Sequence, residues 1–296
     1  MAARAYLYLV ITTIGWGGNA VAGKLAVGHV SPALLTTLRW AVALAVILPF
    51  ALPHLRREWP AIRAHAGVLI ALGMLGFALF NNLLYFALIY TSAINVAIEQ
   101  AAMPLVIFVA SFLLFRQKTT LAQIAGFCIS VVGVALVASD GDLSRLLALD
   151  INLGDAVMMV AVLSYGLYTV GLHWKPRLHW LSLMSALAIV AFFGSIPFTA
   201  FEAASGSLIL PDLQGWLVVL YAGTIASIAS QALYILGNEL IGGNRAGLFI
   251  NLVPIFGTLF AVVILGEDFQ LHHFFALALV LGGIALAERR NGRRAA

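Results

Sequence analysis

The sequence predicts an all-α integral membrane protein in which ten transmembrane helices form two inverted five-helix repeats. Composition is the first observation behind this. Of 296 residues, 62% are hydrophobic and 9% are charged, with a mean hydropathy of +1.03. A soluble domain carries roughly 25% charged residues. The second observation is a series of apolar runs of about 20 residues along the whole chain, which suits spanning helices and excludes a barrel. The third is an internal repeat. Residues 82–136 align without a gap on 232–286, so that Pro104 falls on Pro254, Leu121 on Leu271, Gly133 on Gly283 and Ala135-Leu136 on Ala285-Leu286. The charges invert where the apolar pattern repeats, because Arg116-Gln117-Lys118 falls on Gly266-Glu267-Asp268. Matching loops of opposite charge place the two copies upside down relative to each other in a membrane.

The first span covers 5–26, with only Arg4 ahead of it and Asn19 and Lys24 within it, so it reads as a retained helix and not a cleaved signal. Ser31-Pro32 opens the second span, 33–52, and Pro53 and Pro60 bound it. The third, 66–89, ends at Thr91-Ser92, and the fourth, 94–114, carries Pro104. The fifth, 120–138, stops before Asp140-Gly141, and the sixth, 154–173, before Pro176. The seventh, 180–200, is followed by Gly206 and Pro211. The eighth, 215–237, is separated by Gly242-Gly243 from the ninth, 245–265, and the tenth is 272–288. The first repeat then occupies 1–146 and the second 147–288, with a basic tail at 289–296. Weaker matches extend the repeat: Pro49-Phe50 to Pro197-Phe198, and Trp16-Gly17 with Asn19 to Tyr165-Gly166 with Tyr168.

Basic residues set the orientation. With both termini in the cytoplasm, the segments on that side hold 13 of the 16 Lys and Arg residues, among them Arg56, Arg57, Arg63, Lys175 and Arg177. The exterior loops hold only Arg145, beside Asp140, Asp142, Asp150, Glu202, Asp212, Glu267 and Asp268. The sequence pI near 9.4 therefore implies no nucleic acid. The expected partners are membrane lipid and a small-molecule substrate. A monomer is expected, since one chain already holds both repeats. Cys128 excludes an intramolecular disulfide and reads as a small core residue.

The stretch Trp16–Asn19, Arg39, Thr91-Ser92-Ala93 ahead of a span with Pro104, then Pro254, Gly266-Glu267 and Gly282-Gly283, resembles the drug/metabolite transporter superfamily in its EamA-type branch. The resemblance covers almost the whole chain. It implies a cavity lined by spans 1, 3, 4, 6, 8 and 9, with spans 2, 5, 7 and 10 outside. By general likeness the chain is most similar to bacterial amino-acid exporters of the YddG type, which implies an inner-membrane protein that moves aromatic and other apolar amino acids. The first repeat departs from the family's Gly-Glu, having Arg116-Gln117 there.

Charges in the hydrocarbon cost roughly 2.5–3.5 kcal/mol each on insertion scales, so every one needs a reason. The ionisable set is Lys24, Arg39, Glu99, Asp155, His173 and Glu239. Glu99 is a candidate for binding a substrate ammonium or carrying a proton, against an internal pair with Lys24. Arg39 faces a substrate carboxylate or is a structural anchor snorkelling to the exterior interface, and its peripheral span favours the anchor. Asn19, Asn81, Asn82 and Tyr85 offer amide and hydroxyl groups, with Asn81 and Tyr85 on one helix face. Plain interhelical hydrogen bonding is the alternative. Gln100, Gln231, Tyr234 and Asn251 complete the polar candidates. Trp16, Tyr165 and Tyr168 suit aromatic walls, whereas Trp40, Trp59, Trp174, Trp180 and Trp216 read as interfacial anchors. Pro104 and Pro254 sit at matched points and suit hinges. His173 reads as an interfacial histidine. His272 and His273 are too weak a pattern for a metal site, and neither metal nor cofactor is expected.

These features favour an alternating-access exporter of amino acids. Another small metabolite or drug is the alternative. A phosphate-bearing cargo such as a nucleotide sugar would want converging Arg or Lys, and spans six to ten hold only Arg245, at an edge. No H-E-x-x-H, G-x-S-x-G or Gly-rich phosphate loop points to an enzyme.

Overall fold

The computed structural model describes residues 2–116, 121–139, 141–142, 152–241 and 249–288. The expected boundary between repeats at 146/147, the tail at 289–296, the first residues of the fifth and ninth spans, and Gly242-Gly243 lie outside the described residues. So do Lys118, Arg145 and Arg245, and the side chains of Pro104, Asn238 and Glu239.

The protein is an all-helical membrane protein. Its helices are α1 (Ala2–Ala26), α2 (Pro32–Ala64), α3 (Ala66–Tyr90), α4 (Ala93–Phe115), α5 (Leu121–Ala138), α6 (Leu153–Trp174), α7 (Trp180–Ala204), α8 (213–241), α9 (Val253–Leu265) and α10 (Leu271–Glu288). Six of them, α2, α3, α4, α6, α7 and most of α8, are long and apolar enough to cross a membrane.

Helix caps fix their directions. The Glu202 carboxylate at the end of α7 accepts from the N–H groups of Ala33 and Leu34 at 2.8 and 3.1 Å, and from the Ser31 hydroxyl at 2.6 Å. Glu58, near the end of α2, accepts at 3.1 Å from the His179 N–H that precedes α7. Each helix thus caps the start of the other, so α2 and α7 run antiparallel. They are matched elements of the two repeats, and the second repeat is therefore inverted. One end of the bundle gathers Glu202, Asp212 and Glu267, and is called the acidic end. The other gathers Arg56, Arg57, Arg63, Lys175 and Arg177, and is called the basic end. At the acidic end the Gly215 N–H, with the His29 imidazole 2.7 Å away, holds the Asp212 carboxyl below the usual carboxylate range.

The repeat symmetry reaches single residues. Ser130 donates to the Val280 carbonyl at 3.2 Å, a pair 150 residues apart. A Cβ on Gly133 would lie 2.8 Å from the Ala276 carbonyl, so this glycine permits the close crossing of α5 and α10. Arg116 ends α4 at φ 51°, and its match Gly266 ends α9 at φ 68°. The same left-handed cap is needed in both copies. The first copy carries it on a side chain instead of a glycine.

The structure corrects several expectations. The second helix does not stop at Pro53. It continues through Pro49, Pro53 and Pro60 for 33 residues, about 50 Å. Each proline removes one N–H, and the later ones lie toward the polar end, where freed carbonyls reach water. Trp40 is no interfacial anchor. It is 2% exposed and stacks on Phe77 at 4.7 Å in an apolar cluster of α2, α3 and α7. Cys128 is exposed on α5 and is not a core residue.

Three departures from regular helix have functional interest. Helix α4 breaks at Ala101-Ala102, between Ala93–Gln100 and Met103–Phe115. A turn at Asn251-Leu252 precedes α9 at the matched point. Pro104 and Pro254 therefore open new helical segments in their first turns, where a missing N–H costs nothing. They do not bend continuous helices. Third, α3 and α8 contain matched π-helical turns at Met74–Leu79 and Tyr221–Ala229, a feature common at functional sites.

Candidate functional site

Arg39 is the hub of the bundle's polar interior, contrary to the expectation of a snorkelling anchor. It is 6% exposed. Its Nε donates to Ser227 Oγ on α8 at 2.8 Å. Its Nη1 faces Asn19 Oδ1 on α1 at 3.1 Å, and Asn81 Oδ1 and Tyr85 Oη on α3 at 2.7 and 2.6 Å. Tyr85 also donates to Asn19 at 3.0 Å. The guanidinium stacks over the Trp40 ring at 5.2 Å. Eight residues into α2, it is too deep to reach the interface, so α1, α3 and α8 supply acceptors instead of water. Ser227 is free to accept because its own hydroxyl donates to Ala222 O inside the π-turn, at 2.8 Å. Among the described residues no carboxylate lies within ion-pair distance of Arg39, and Nη2 donates to nothing. The site therefore holds a buried positive charge with unspent donors, the feature that recognises a carboxylate.

Glu99 is the acidic counterpart. It is fully buried, and both carboxylate oxygens have no partner among the described residues. The alternative, an internal pair with Lys24, does not form. Lys24 instead donates to the Leu88 and Thr91 carbonyls at 2.9 and 2.6 Å. Asp155, on α6, lies close enough to Glu99 for the carboxylates to interact. An uncompensated carboxylate in a low-dielectric interior is costly, and a cationic ligand group or a proton relieves that cost.

The turn between α3 and α4 closes the acidic end. Thr91 donates its hydroxyl to Asp155 and gives its carbonyl to Lys24. Asn152 holds the Tyr90 carbonyl at 2.9 Å. Glu267, from the α9–α10 turn, accepts from the N–H groups of Ala93 and Ile94 at 2.8 and 2.9 Å. A carboxylate at a helix start satisfies orphan donors and complements the dipole. This gives Gly266-Glu267 its role: the glycine ends α9 and the glutamate locks it to α4.

The aromatic candidates divide. Trp16 on α1 contacts Tyr234 on α8 at 5.4 Å and donates to Ala226 O at 3.0 Å. Tyr165 on α6 contacts Phe80 at 4.8 Å. Trp16, Tyr165 and Tyr234 are partly exposed although they lie within their helices, as cavity walls would be. Tyr168 is different. It is buried against Phe77 at 5.7 Å, in the apolar cluster of α2, α3 and α7. Asn82 is likewise internal, donating to Ala78 O and Ser195 Oγ at 2.8 and 3.3 Å. Gln100 donates to Val96 O at 3.3 Å. Gln231 and Asn251 are partly exposed, and no bond from either is formed among the described residues. His173 packs on Phe115 at 4.7 Å. Among the described residues no cluster of three His, Cys, Asp or Glu side chains could hold a metal.

Sequence reasoning missed Ser227, Thr91 and the capping role of Glu267. Ser227 lies 188 residues from Arg39 and had no local signal. Of the reciprocal carboxylates, Glu202 was read only as an exterior loop charge and Glu58 was not singled out.

Comparison with known proteins bears on the whole chain. The sequence model of the EamA-like transporter family matches residues 3–139 and 152–288. The uncharacterized transporter YetK of Bacillus subtilis (strain 168) is 27% identical over 282 residues, covering 95% of this chain and 85% of that protein. The uncharacterized inner membrane transporter YicL of Salmonella typhimurium (strain LT2) is 24% identical over 307 residues, covering 99% and 97%. A solved crystal structure superposes with a TM-score of 0.64 at 20% identity, covering 100% of this chain and 99% of the other, which shows a shared fold.

Proposed function

Because the chain belongs to the EamA-like transporter family, and so is a multi-pass membrane transporter and not an enzyme, we propose that its cargo is an amino acid, with aromatic and other apolar side chains favoured. The observation that carries this reading is the buried Arg39 guanidinium and the buried Glu99 carboxyl, neither with a counter-ion among the described residues, in one bundle with partly exposed aromatic rings. A zwitterion offers a carboxylate to the first and an ammonium to the second. An apolar side chain suits Trp16, Tyr165 and Tyr234; Gln100 and Asn251, at the helix breaks, and Gln231, within α8, supply further hydrogen bonds. Arg39 was not among the sequence-derived binding residues and is added to them. Asn19, Asn81 and Tyr85 act by fixing its guanidinium, and Asn82 and Tyr168 support α3.

Transport is by alternating access. The Thr91–Asp155, Thr91–Lys24 and Glu267–Ala93 contacts close the acidic end, and the breaks beside Pro104 and Pro254 let the half-helices move. With basic residues inside, the acidic end faces the exterior and both termini are cytoplasmic, and export across a bacterial inner membrane is the direction that the resemblance to amino-acid exporters implies.

Counterflow in proteoliposomes tests the substrate class. Vesicles preloaded with unlabelled phenylalanine, methionine, threonine or a nucleotide sugar are given labelled phenylalanine. Trans-stimulation by the amino acids and not by the nucleotide sugar is the expected result. Stimulation by the nucleotide sugar alone would remove the amino-acid reading.

A further inference from the structure

A polar vestibule of about 510 Å³ opens at the acidic end, beside the α3–α4 turn. Lys24, Ser92, Glu267, Asp268 and His272 line it, and it reaches the buried side chain of Asn95. Asn95 Oδ1 is enclosed and accepts no hydrogen bond among the described residues. The Asn95 amide reaches Thr91 Oγ1 at 3.2 Å and Asp155 Oδ1 at 3.5 Å. Glu99 lies four residues further along the same helix, on the same face, about 6 Å deeper. Polar groups therefore step inward from water, through Asn95 and Asp155, to a carboxyl with no hydrogen-bond partner among the described residues. The surroundings are otherwise apolar. Ile94, Val96 and Ile98 are wholly buried, and α9 carries no charged residue at all.

We propose that Glu99 is a proton-binding site that exchanges with the acidic-end vestibule through Asn95 and Asp155. The proton leaves a vestibule hydronium ion, passes the Asp155 carboxylate and forms an O–H bond on Glu99. On release toward the basic end it returns to water. No redox partner is needed. The charged and titratable groups around this end of α4 are Lys24 on α1, Tyr85 and Tyr90 on α3, Asp155 on α6, Asp142 past α5, Glu267 and Asp268 in the α9–α10 turn, and His272 and His273 on α10. Lys24, which lines the vestibule, is engaged by carbonyls, and Glu99 has no ion-pair or hydrogen-bond partner among the described residues. The coupling of this proton to solute export rests on the amino-acid reading above. The site itself does not.

Infrared difference spectroscopy tests the site without solute. The protein is reconstituted with one orientation, and pH is changed on one side at a time. A carboxylic-acid C=O band that follows the acidic-end pH and is absent from Glu99→Gln is the expected result. Glu99→Gln breaks no hydrogen bond of the fold, so its spectrum reports on a folded protein. Asn95→Leu should keep the band and slow its response at least about tenfold. A band that persists in Glu99→Gln, or follows only the basic-end pH, would overturn the proposal. A positive result with no phenylalanine exchange would keep the proton site and remove the amino-acid reading, and the reverse pattern would do the opposite.

Discussion

Replacing Arg39 with lysine is expected to weaken phenylalanine exchange about 100-fold, although the charge is kept. The cause is geometry. The guanidinium reaches acceptors on three helices at once: Ser227 on α8, Asn19 on α1, and Asn81 with Tyr85 on α3. An ammonium on a flexible stem cannot span them and still present a free edge to a carboxylate. Hydrogen bonds to charged groups are worth about 1.5–3 kcal/mol each. Losing one such contact to the substrate, at 1.4 kcal/mol per decade, gives about tenfold to 100-fold, and disorder of the hub takes the effect to the upper end. Thermal unfolding in detergent should fall as well, because buried acceptors on α1, α3 and α8 lose their donor. Counterflow and thermal unfolding of Arg39→Lys check the two effects. Unchanged exchange would return Arg39 to a purely structural role.

Glu99→Gln should separate transport from stability in the opposite way. Neither Glu99 oxygen has a hydrogen-bond partner among the described residues, and the residue is wholly buried. The substitution therefore removes an uncompensated acidic group and breaks no bond, so the unfolding temperature should stay the same or rise. Phenylalanine exchange should fall by about tenfold or more, because the substrate ammonium loses its counter-charge. The pair of measurements distinguishes this from a folding defect. Wild-type exchange by a stable Glu99→Gln protein, at every pH tried, would remove Glu99 from both substrate and proton roles.

The architecture was legible in the sequence because it is written in long-range features. The 150-residue offset, the apolar run lengths and the inversion of Arg116-Gln117 against Gly266-Glu267 all follow from the need to satisfy lipid and charge across many residues. Helix ends came close for the same reason. The second helix did not, because proline signals a stop in water, whereas three spaced prolines leave a membrane helix able to continue. The site was only partly legible. Glu99 stood out as a carboxylate in an apolar run. Arg39 was misplaced because its partners, at 19, 81, 85 and 227, are scattered over three helices and no local pattern joins them. Trp40 was misread with it, since nearness to a span end does not reveal the Phe77 ring it stacks on. The π-turns in α3 and α8 leave no compositional mark, and one of them places Ser227. Lys24 and Glu99 shared a plausible depth, but the carbonyls of Leu88 and Thr91 outcompeted the carboxylate for the ammonium.

The account turns on one binding site that grips a zwitterion at both charged ends. Competition in the phenylalanine counterflow assay tests this most directly, using phenethylamine, which lacks the carboxylate, and 3-phenylpropionate, which lacks the ammonium. The account predicts that unlabelled phenylalanine competes fully and that each analogue competes far more weakly, with the phenethylamine deficit abolished in Arg39→Lys and the phenylpropionate deficit abolished in Glu99→Gln. Equal competition by either analogue in the wild-type protein would contradict it.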